Sequence, residues 1–340
     1  MASPELELKS LLQAELQQGY FTAAYVESGR LDQVQPTLQY FTGKEGRIFD
    51  LASLTKALVT GPLVHLTLKA ENLDVKAPLA AWAEDITLPS SLLQLTTDEV
   101  LGHVSGLPAW WNFWMHHLDE KQKPNRSEAL GIMEKVLNRI PLGSEKKDLY
   151  SDVGYILLGY LLEKKAKKSL KPWLQEVVTE PFGYAPELNL PGESYISTGF
   201  CKIRERELRG EVHDENCAAL GGISGHAGLF GSGPSVSQYL KALLRDSMGL
   251  QFFEANEKVR RETQRDGLLG FRRGNGQSSG VFANGNGMGH LGWTGTAFWL
   301  DWSSKKYGIF LTNRVISGRV SPRITDIRRK VFQLLDASLG

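Results

Sequence analysis

Strand-like runs lie near both ends of this 340-residue chain, and helix-period runs fill the middle. Phe21–Val26 and Leu38–Thr42 read as short strands, with Gly29 and Gly43 as punctuation. Far along the chain, Phe298–Trp302, a polar turn over Ser303–Lys306, and Tyr307–Asn313 have the pattern of a β-hairpin. This arrangement implies one sheet assembled from both ends of the chain, with a helical region inserted between them. Few topologies satisfy that demand.

The remaining segments fit this frame. Residues 7–18 are spaced as an amphipathic helix, and a second helix follows from about Ser53 through Leu58, Val59, Leu63, Leu66 and Leu68. Gly61-Pro62 is expected to kink or interrupt it. From about 75 to 250 the pattern is mainly helical, broken by loops rich in Trp, Pro and Gly. A Gly-rich stretch covers 267–296, and Pro322 opens a last amphipathic helix carrying Ile324, Ile327, Val331, Leu334 and Leu335.

Composition narrows the function classes. A formal net charge of +1 argues against a charge-driven nucleic-acid role. Lys164-Lys165-Ala166-Lys167-Lys168 and Arg328-Arg329-Lys330 read as solvated helix faces and ends. No run approaches the roughly 18–20 apolar residues of a membrane span. The first residues, Met1 to Glu7, have neither a basic nor an apolar leader region, so the chain as written is expected to be cytoplasmic. Cys201 and Cys217 do not make a disulfide framework and are expected to be free and mostly packed.

Three short elements carry the chemistry. In Ser53-Leu54-Thr55-Lys56, residues i and i+3 share a helix face, so the Lys56 amine can reach the Ser53 oxygen. A serine hydroxyl needs a base to take its proton, and a desolvated lysine can serve. A helix N-terminus there also adds partial positive charge for an oxyanion. Tyr150-Ser151-Asp152 supplies a phenol that can relay protons beside a lysine. His290-Leu291-Gly292-Trp293-Thr294-Gly295-Thr296 is a glycine-rich strand edge that lets a substrate approach closely and offers free N–H donors.

In order, spacing and setting these elements resemble the serine β-lactamase and penicillin-binding-protein-like hydrolases. The likeness is to the branch of class C β-lactamases, D-aminopeptidases and family VIII esterases. The family pattern S-x-x-K, Y-x-N and K-T-G or H-x-G is carried here by Ser53/Lys56, Tyr150/Asp152 and His290/Gly292. Leu101–Pro108 and Leu220–Phe230 also look like this branch. The resemblance implies a three-layer α/β/α lobe with an antiparallel sheet, formed by 1–75 and 251–340. A mainly helical lobe, 76–250, would be inserted, with the active site in the groove between. Ser53 would be the acylated nucleophile. Lys56 and Tyr150 would share the acid and base roles, and which takes the first proton is left open. The backbone N–H groups of Ser53 and Trp293 would form the oxyanion hole. Asp152, His290, Gly292, Trp293 and Trp110 would contact substrate.

Three departures bear on that substrate. Asp152 stands where the family usually has Asn, and an ionised carboxylate accepts but cannot donate. Pairing with Lys56 would hold the lysine charged and favour Tyr150 as base. Leu291 replaces a hydroxyl that helps bind the substrate carboxylate, and His290 replaces a fixed positive charge. Together they argue for a less anionic ester or small amide over a β-lactam. Trp110, Trp111, Phe113 and Trp114 would give either an aromatic wall or core. His116-His117, His213 and His226 lack close metal-ligand spacing, and His213-Asp214 is a suggestive pair only. No metal and no cofactor are implied. The leading expectation is a serine hydrolase acting on a small-molecule ester or amide. The alternatives are a peptidoglycan-active D,D-peptidase or β-lactamase, and a non-catalytic binding protein that kept the groove.

Overall fold

The computed structural model describes residues 3–44, 46–116, 125–170, 194–283, 287–318 and 321–340. Its main sheet combines β1 (Ala23–Arg30) and β2 (Leu38–Gly43) from the first part of the chain with four late strands. Two short ladders lie between in sequence: β3 (Phe49–Asp50) pairs with β6 (Phe230–Gly231), and β4 (Gly199–Cys201) with β5 (Arg206–Leu208). The late strands are β7 (Arg272–Arg273), β8 (Gly287–Leu291), β9 (Ala297–Asp301) and β10 (Lys306–Thr312). The sheet order is β2-β1-β10-β9-β8-β7, antiparallel throughout. The β1–β10 register sets Ala24 opposite Thr312 and Arg30 opposite Lys306. The two ends of the chain thus close one sheet, as the strand pattern implies.

Period-two alternation then sorts the side chains to two faces. Ala24, Val26, Ala297, Trp299 and Phe310 pack on one side against Leu8, Leu12, Ile327, Val331 and Leu335. Those five belong to the helices Pro4–Gln17 and Arg323–Ala337. Tyr25, Phe298, Leu300, Tyr307, Ile309 and Leu311 face the other way, into a core shared with Leu58, Tyr239, Phe252 and the helix Asp152–Ala166. That last helix is apolar all round, and Val153 through Glu163 are buried, as expected of a helix wrapped on every side. The result is a three-layer α/β/α lobe with further helices packed beside it. The hairpin turn between β9 and β10 is tied by Asp301, whose Oδ1 accepts the Ser303 and Ser304 N–H groups and the Ser303 hydroxyl.

Gly61-Pro62 neither breaks nor ends its helix. Lys56–Thr60 widens into a π-turn, and Gly61 donates to the Lys56 carbonyl five residues back. The α-helix Gly61–Ala70 continues from there. Pro62 has no N–H to give the Leu58 carbonyl, and the Tyr239 hydroxyl donates to that oxygen at 2.6 Å. A hydroxyl from a neighbouring helix therefore serves the carbonyl that the proline cannot. Replacing Tyr239 with Phe is expected to cost about 1 kcal/mol and lower the midpoint of thermal unfolding by about 1–2 °C. An unchanged melting temperature by calorimetry would show that this carbonyl does not depend on Tyr239.

Candidate active site

The turn into the helix sets the geometry of Ser53. Ala52 lies in the left-handed region, with φ +49°, which is costly for an L-residue and re-aims the chain just before Ser53. Ala52 O accepts the Thr55 N–H and the Thr55 hydroxyl, and that hydroxyl takes the Leu229 N–H. The next turn delivers Lys56, which is fully buried. Its Nζ lies 2.9 Å from Ser53 Oγ, 2.7 Å from Asp152 Oδ1 and 3.1 Å from the His226 carbonyl, so its three hydrogens all have acceptors.

The wall that presents His226 is Leu220–Phe230, which carries glycines at 221, 222, 225 and 228. A β-carbon at Gly225 would come within 2.0 Å of the Tyr155 carbonyl, so only glycine lets this turn press onto the Asp152–Ala166 helix. Thr60 Oγ1 donates to Gly225 O, which fixes the same contact from the other side. His226 itself is buried, and its Nε2 lies 2.9 Å from Asp214 Oδ1. Asp214 therefore pairs with His226. It also caps the short helix Glu215–Ala219 through the Cys217 N–H. Burial alone would raise the Asp214 carboxyl. His226 and the Cys217 N–H overcome that and hold it well below the usual carboxylate range.

Charge in the centre follows from the same contacts. Burial by itself would depress the Lys56 amine, but the Asp152 carboxylate and then Tyr150 reverse it, and the net direction is upward. Burial pushes the Tyr150 phenol up and Asp152 adds to it, while Lys56 and Ser53 pull back without cancelling the rise. The resting site holds a charged lysine and a neutral tyrosine. Tyr150 is ringed by π-systems and cations. The His103 and His290 rings lie 4.5 and 6.0 Å from its centroid, and Lys56 Nζ and the Arg272 guanidinium lie 4.9 and 5.2 Å away.

Motif two is positioned by His103 and Ser151. His103 Nδ1 accepts the Ser151 N–H, and the Ser151 hydroxyl donates to Pro108 O while capping Gly154. The stretch Leu101–Pro108, noted in sequence only as a family likeness, thus clasps Tyr150 and Asp152 from behind. Burial and the nearby cations Lys56 and Arg272 hold both His103 and His290 well below the ordinary imidazole range, so both are neutral. His290 is fully buried behind Tyr150 and takes no part in the cavity lining.

The strand edge closes the site. A β-carbon at Gly292 would lie 2.0 Å from Thr296 Oγ1 and 2.8 Å from Leu51 O, so glycine alone lets this edge meet the Ser53 turn. Gly292 N–H donates to Thr296 O and Gly295 N–H to Gly292 O, a tight turn that leaves the Trp293 N–H outside the ladder. Among the described residues, neither the Trp293 nor the Ser53 backbone N–H finds an acceptor. These are the two donors expected of an oxyanion hole.

A cavity of about 800 Å³ opens over Ser53. Tyr150, Asp152, Gly292, Trp293 and Trp110 line it, and the two tryptophans are nearly half exposed. Phe113 belongs to the core, with Trp111 and Trp114 held by the buried Asn216 side chain. Three arginines that sequence reading missed also line the cavity: Arg272, Arg314 and Arg328. Arg328 is buried, and burial with Arg314 nearby pushes it down to about 9. Its Nη2 holds Gly292 O and Thr296 O, while its Nε is buried without a partner among the described residues. The positive charge missing at His290 is thus present in the cavity from other segments. No spacing signal marks these arginines, because they come from β7, the segment after β10 and the last helix. His117 lies outside the described residues, and Cys201 and Cys217 are free thiols.

With this geometry in place, comparison with known proteins decides the family. The β-lactamase family model matches residues 31–331. The chain belongs to the β-lactamase family. It is a serine hydrolase of that family, similar to an N-acetylmuramyl-L-alanine amidase of Bacillus subtilis (29% identical, covering 82% of this chain and 70% of the relative). It is also similar to a putative D-alanyl-D-alanine carboxypeptidase of Salmonella agona (26%, 82% and 72%). A class C β-lactamase structure from Rhodobacter sphaeroides shares the fold, with a TM-score of 0.69 at 13% identity over 98% of this chain and 99% of that one.

The Asp214–His226 pair ties stability to pH. Asp214 has a depressed folded-state pKa, so its contribution is present above the unfolded carboxylate value near 4 and is lost as pH falls below it. The urea midpoint should drop on acidification below about pH 4, and Asp214→Asn should flatten part of that drop while costing about 1–3 kcal/mol at pH 7. Parallel pH curves for the two proteins would remove this assignment.

Proposed function

We propose that Ser53 of this family member is acylated by a carboxylic ester or small amide and then released by water. The observation that carries this reading is the 2.9 Å contact between Lys56 Nζ and Ser53 Oγ at the floor of an 800 Å³ cavity, beside two free N–H donors. Pairing with Asp152 holds the resting lysine charged, but burial raises the Tyr150 phenol as well. Tyr150 is therefore no readier to take the Ser53 proton, and Lys56 serves once it has lost one of its own. Asp152 is 2.7 Å away and can take that proton as substrate excludes water, after which the amine accepts the Ser53 proton. The Ser53 oxygen then bonds to the carbonyl carbon, whose oxygen becomes the oxyanion between the Ser53 and Trp293 N–H groups. Neutral Tyr150 gives its proton to the leaving oxygen or nitrogen and recovers one from Lys56. The acyl-enzyme would be hydrolysed through the same groups.

The three cavity arginines favour a second, narrower reading, in which the substrate is an amide of a peptidoglycan fragment bearing a carboxylate. Arg272 lines the cavity as a half-buried cation. Arg314 and Arg328, whose guanidiniums also hold the Trp293, Gly318, Gly292 and Thr296 carbonyls, add positive field beside it that Leu291 cannot supply. The names of the two relatives, an N-acetylmuramyl-L-alanine amidase and a putative D-alanyl-D-alanine carboxypeptidase, support the same class.

One experiment separates these readings. The protein and Ser53→Ala are incubated with a short neutral acyl ester, with N-acetylmuramyl-L-alanine and with a peptide ending in D-Ala-D-Ala, and intact mass and released product are followed. Ser53→Ala should lower turnover of the true substrate by at least about a thousandfold. Ester turnover alone supports the broad reading, and Ser53-dependent release of alanine the narrower one. Hydrolysis that survives Ser53→Ala would refute both.

A further inference from the structure

Three segments of the site converge on one buried residue, Asp50, which sequence reading did not single out. Asp50 is only 2% exposed and lies at the cavity wall, on β3, three residues before Ser53. Its Oδ1 accepts the Ala52 N–H at 2.9 Å, and its Oδ2 accepts the His213 N–H at 2.7 Å. Its backbone carbonyl takes the Thr294 hydroxyl at 2.7 Å. The first bond grips the left-handed Ala52, whose conformation sets the direction of the Ala52–Ser53 peptide. The second grips the residue before Asp214, the partner of His226, whose carbonyl receives Lys56. The third grips the residue after Trp293. The Asp50 carboxyl therefore joins the nucleophile turn to the wall behind Lys56, and its backbone carbonyl ties the same residue to the edge that carries the other oxyanion donor.

Resting on the reading of Ser53 as nucleophile, we propose that Asp50 is a positioning residue: its ionised carboxylate holds the Ala52 turn in the reactive geometry, and protonating it releases that hold. Both of its oxygens face N–H donors, so the ionised form accepts from both. A protonated carboxyl must turn an O–H, or a weakened oxygen, toward one of them. Burial pushes the Asp50 carboxyl up to about 6, against the downward pull of the His213 and Ala52 N–H groups. The charged neighbours that act on it are Asp214, which raises it, and Arg204, which lowers it and holds the Val212 and His213 carbonyls of the same segment. The Cys217 thiol faces it too and is itself raised by burial and by Asp214 and Asp50. Because burial disfavours the charge, the carboxylate costs the fold something while it serves the site. Removing the charge should therefore spare folding and harm reactivity.

The test uses a fluorophosphonate ester as probe, with intact mass as readout, on the wild type, Ser53→Ala and Asp50→Asn from pH 5 to 8. In the labelling step the Ser53 Oγ–P bond forms, fluoride leaves and the hydroxyl proton passes to the site base. The wild type should be labelled at Ser53 at a rate that falls on the acid side with a midpoint near about 6. Asp50→Asn should melt within a few degrees of the wild type, be labelled about 10- to 100-fold more slowly at pH 7.5, and lack the limb near that midpoint. Wild-type labelling of Asp50→Asn, or the same acid limb in it, overturns the inference. If that variant does not fold, the wild type decides: a limb with unchanged near-ultraviolet circular dichroism supports the inference, and a flat rate overturns it. An adduct that persists in Ser53→Ala, or none on the wild type, would instead refute the reading of Ser53 as nucleophile.

Discussion

A fully buried ammonium governs this molecule. Taking the charge of Lys56 out of water costs several kcal/mol, and only good acceptors in fixed places offset it. Each of the three acceptors comes from a different region: Ser53 from its own helix, Asp152 from the head of a central apolar helix, and the His226 carbonyl from the glycine-rich wall. Each region is in turn secured by contacts of its own. Ser151 and His103 hold the second, while Gly225 against the Tyr155 carbonyl and Thr60 on Gly225 hold the third. The need to satisfy one charge therefore draws together segments that are about a hundred and about a hundred and seventy residues from it in sequence. Structure and chemistry share that need, because an amine held this tightly sits where a hydroxyl can be activated.

Much of this frame was legible in the sequence, for physical reasons. Strand runs at both ends could satisfy their backbones in one sheet, and the alternation that separates Ala24 and Val26 from Tyr25 is visible in residue type. The Ser53–Lys56 spacing and the pairing of Asp152 with Lys56 follow from helix geometry and charge, and the structure brings these groups together as expected. The outcome at Gly61-Pro62 was not legible, because the donor that serves Leu58 O is Tyr239, far along the chain. The same holds for the cavity arginines. A buried arginine and a solvated one look alike in sequence, and Arg328 sits in a run that reads as a surface cluster. The partnership of Asp214 with His226, twelve residues on, was not legible either, since nothing in the spacing marks it.

The electrostatic character of the cavity differs from what the third motif suggests in isolation. His290 is neutral and hidden, so the motif itself contributes no cation to the open space. Arg272, Arg314 and Arg328 reach that space from three other places, and Arg328 also anchors the carbonyls of Gly292 and Thr296. One side chain thereby shapes the strand edge and charges the cavity beside it. Substitutions within a short motif can thus leave the field of a site in place when neighbouring segments carry the charge.

The pairing of β1 with β10 has a consequence for how the chain acquires its structure. A ribosome must pass Thr312 before Ala24 can find its partner, so the sheet stays open for most of synthesis. The helices between can pack as they emerge, but Trp293 cannot take its place beside Ser53 until that late closure. Reactivity therefore arrives last, and a chain released early would carry the serine and the lysine without the edge that completes them.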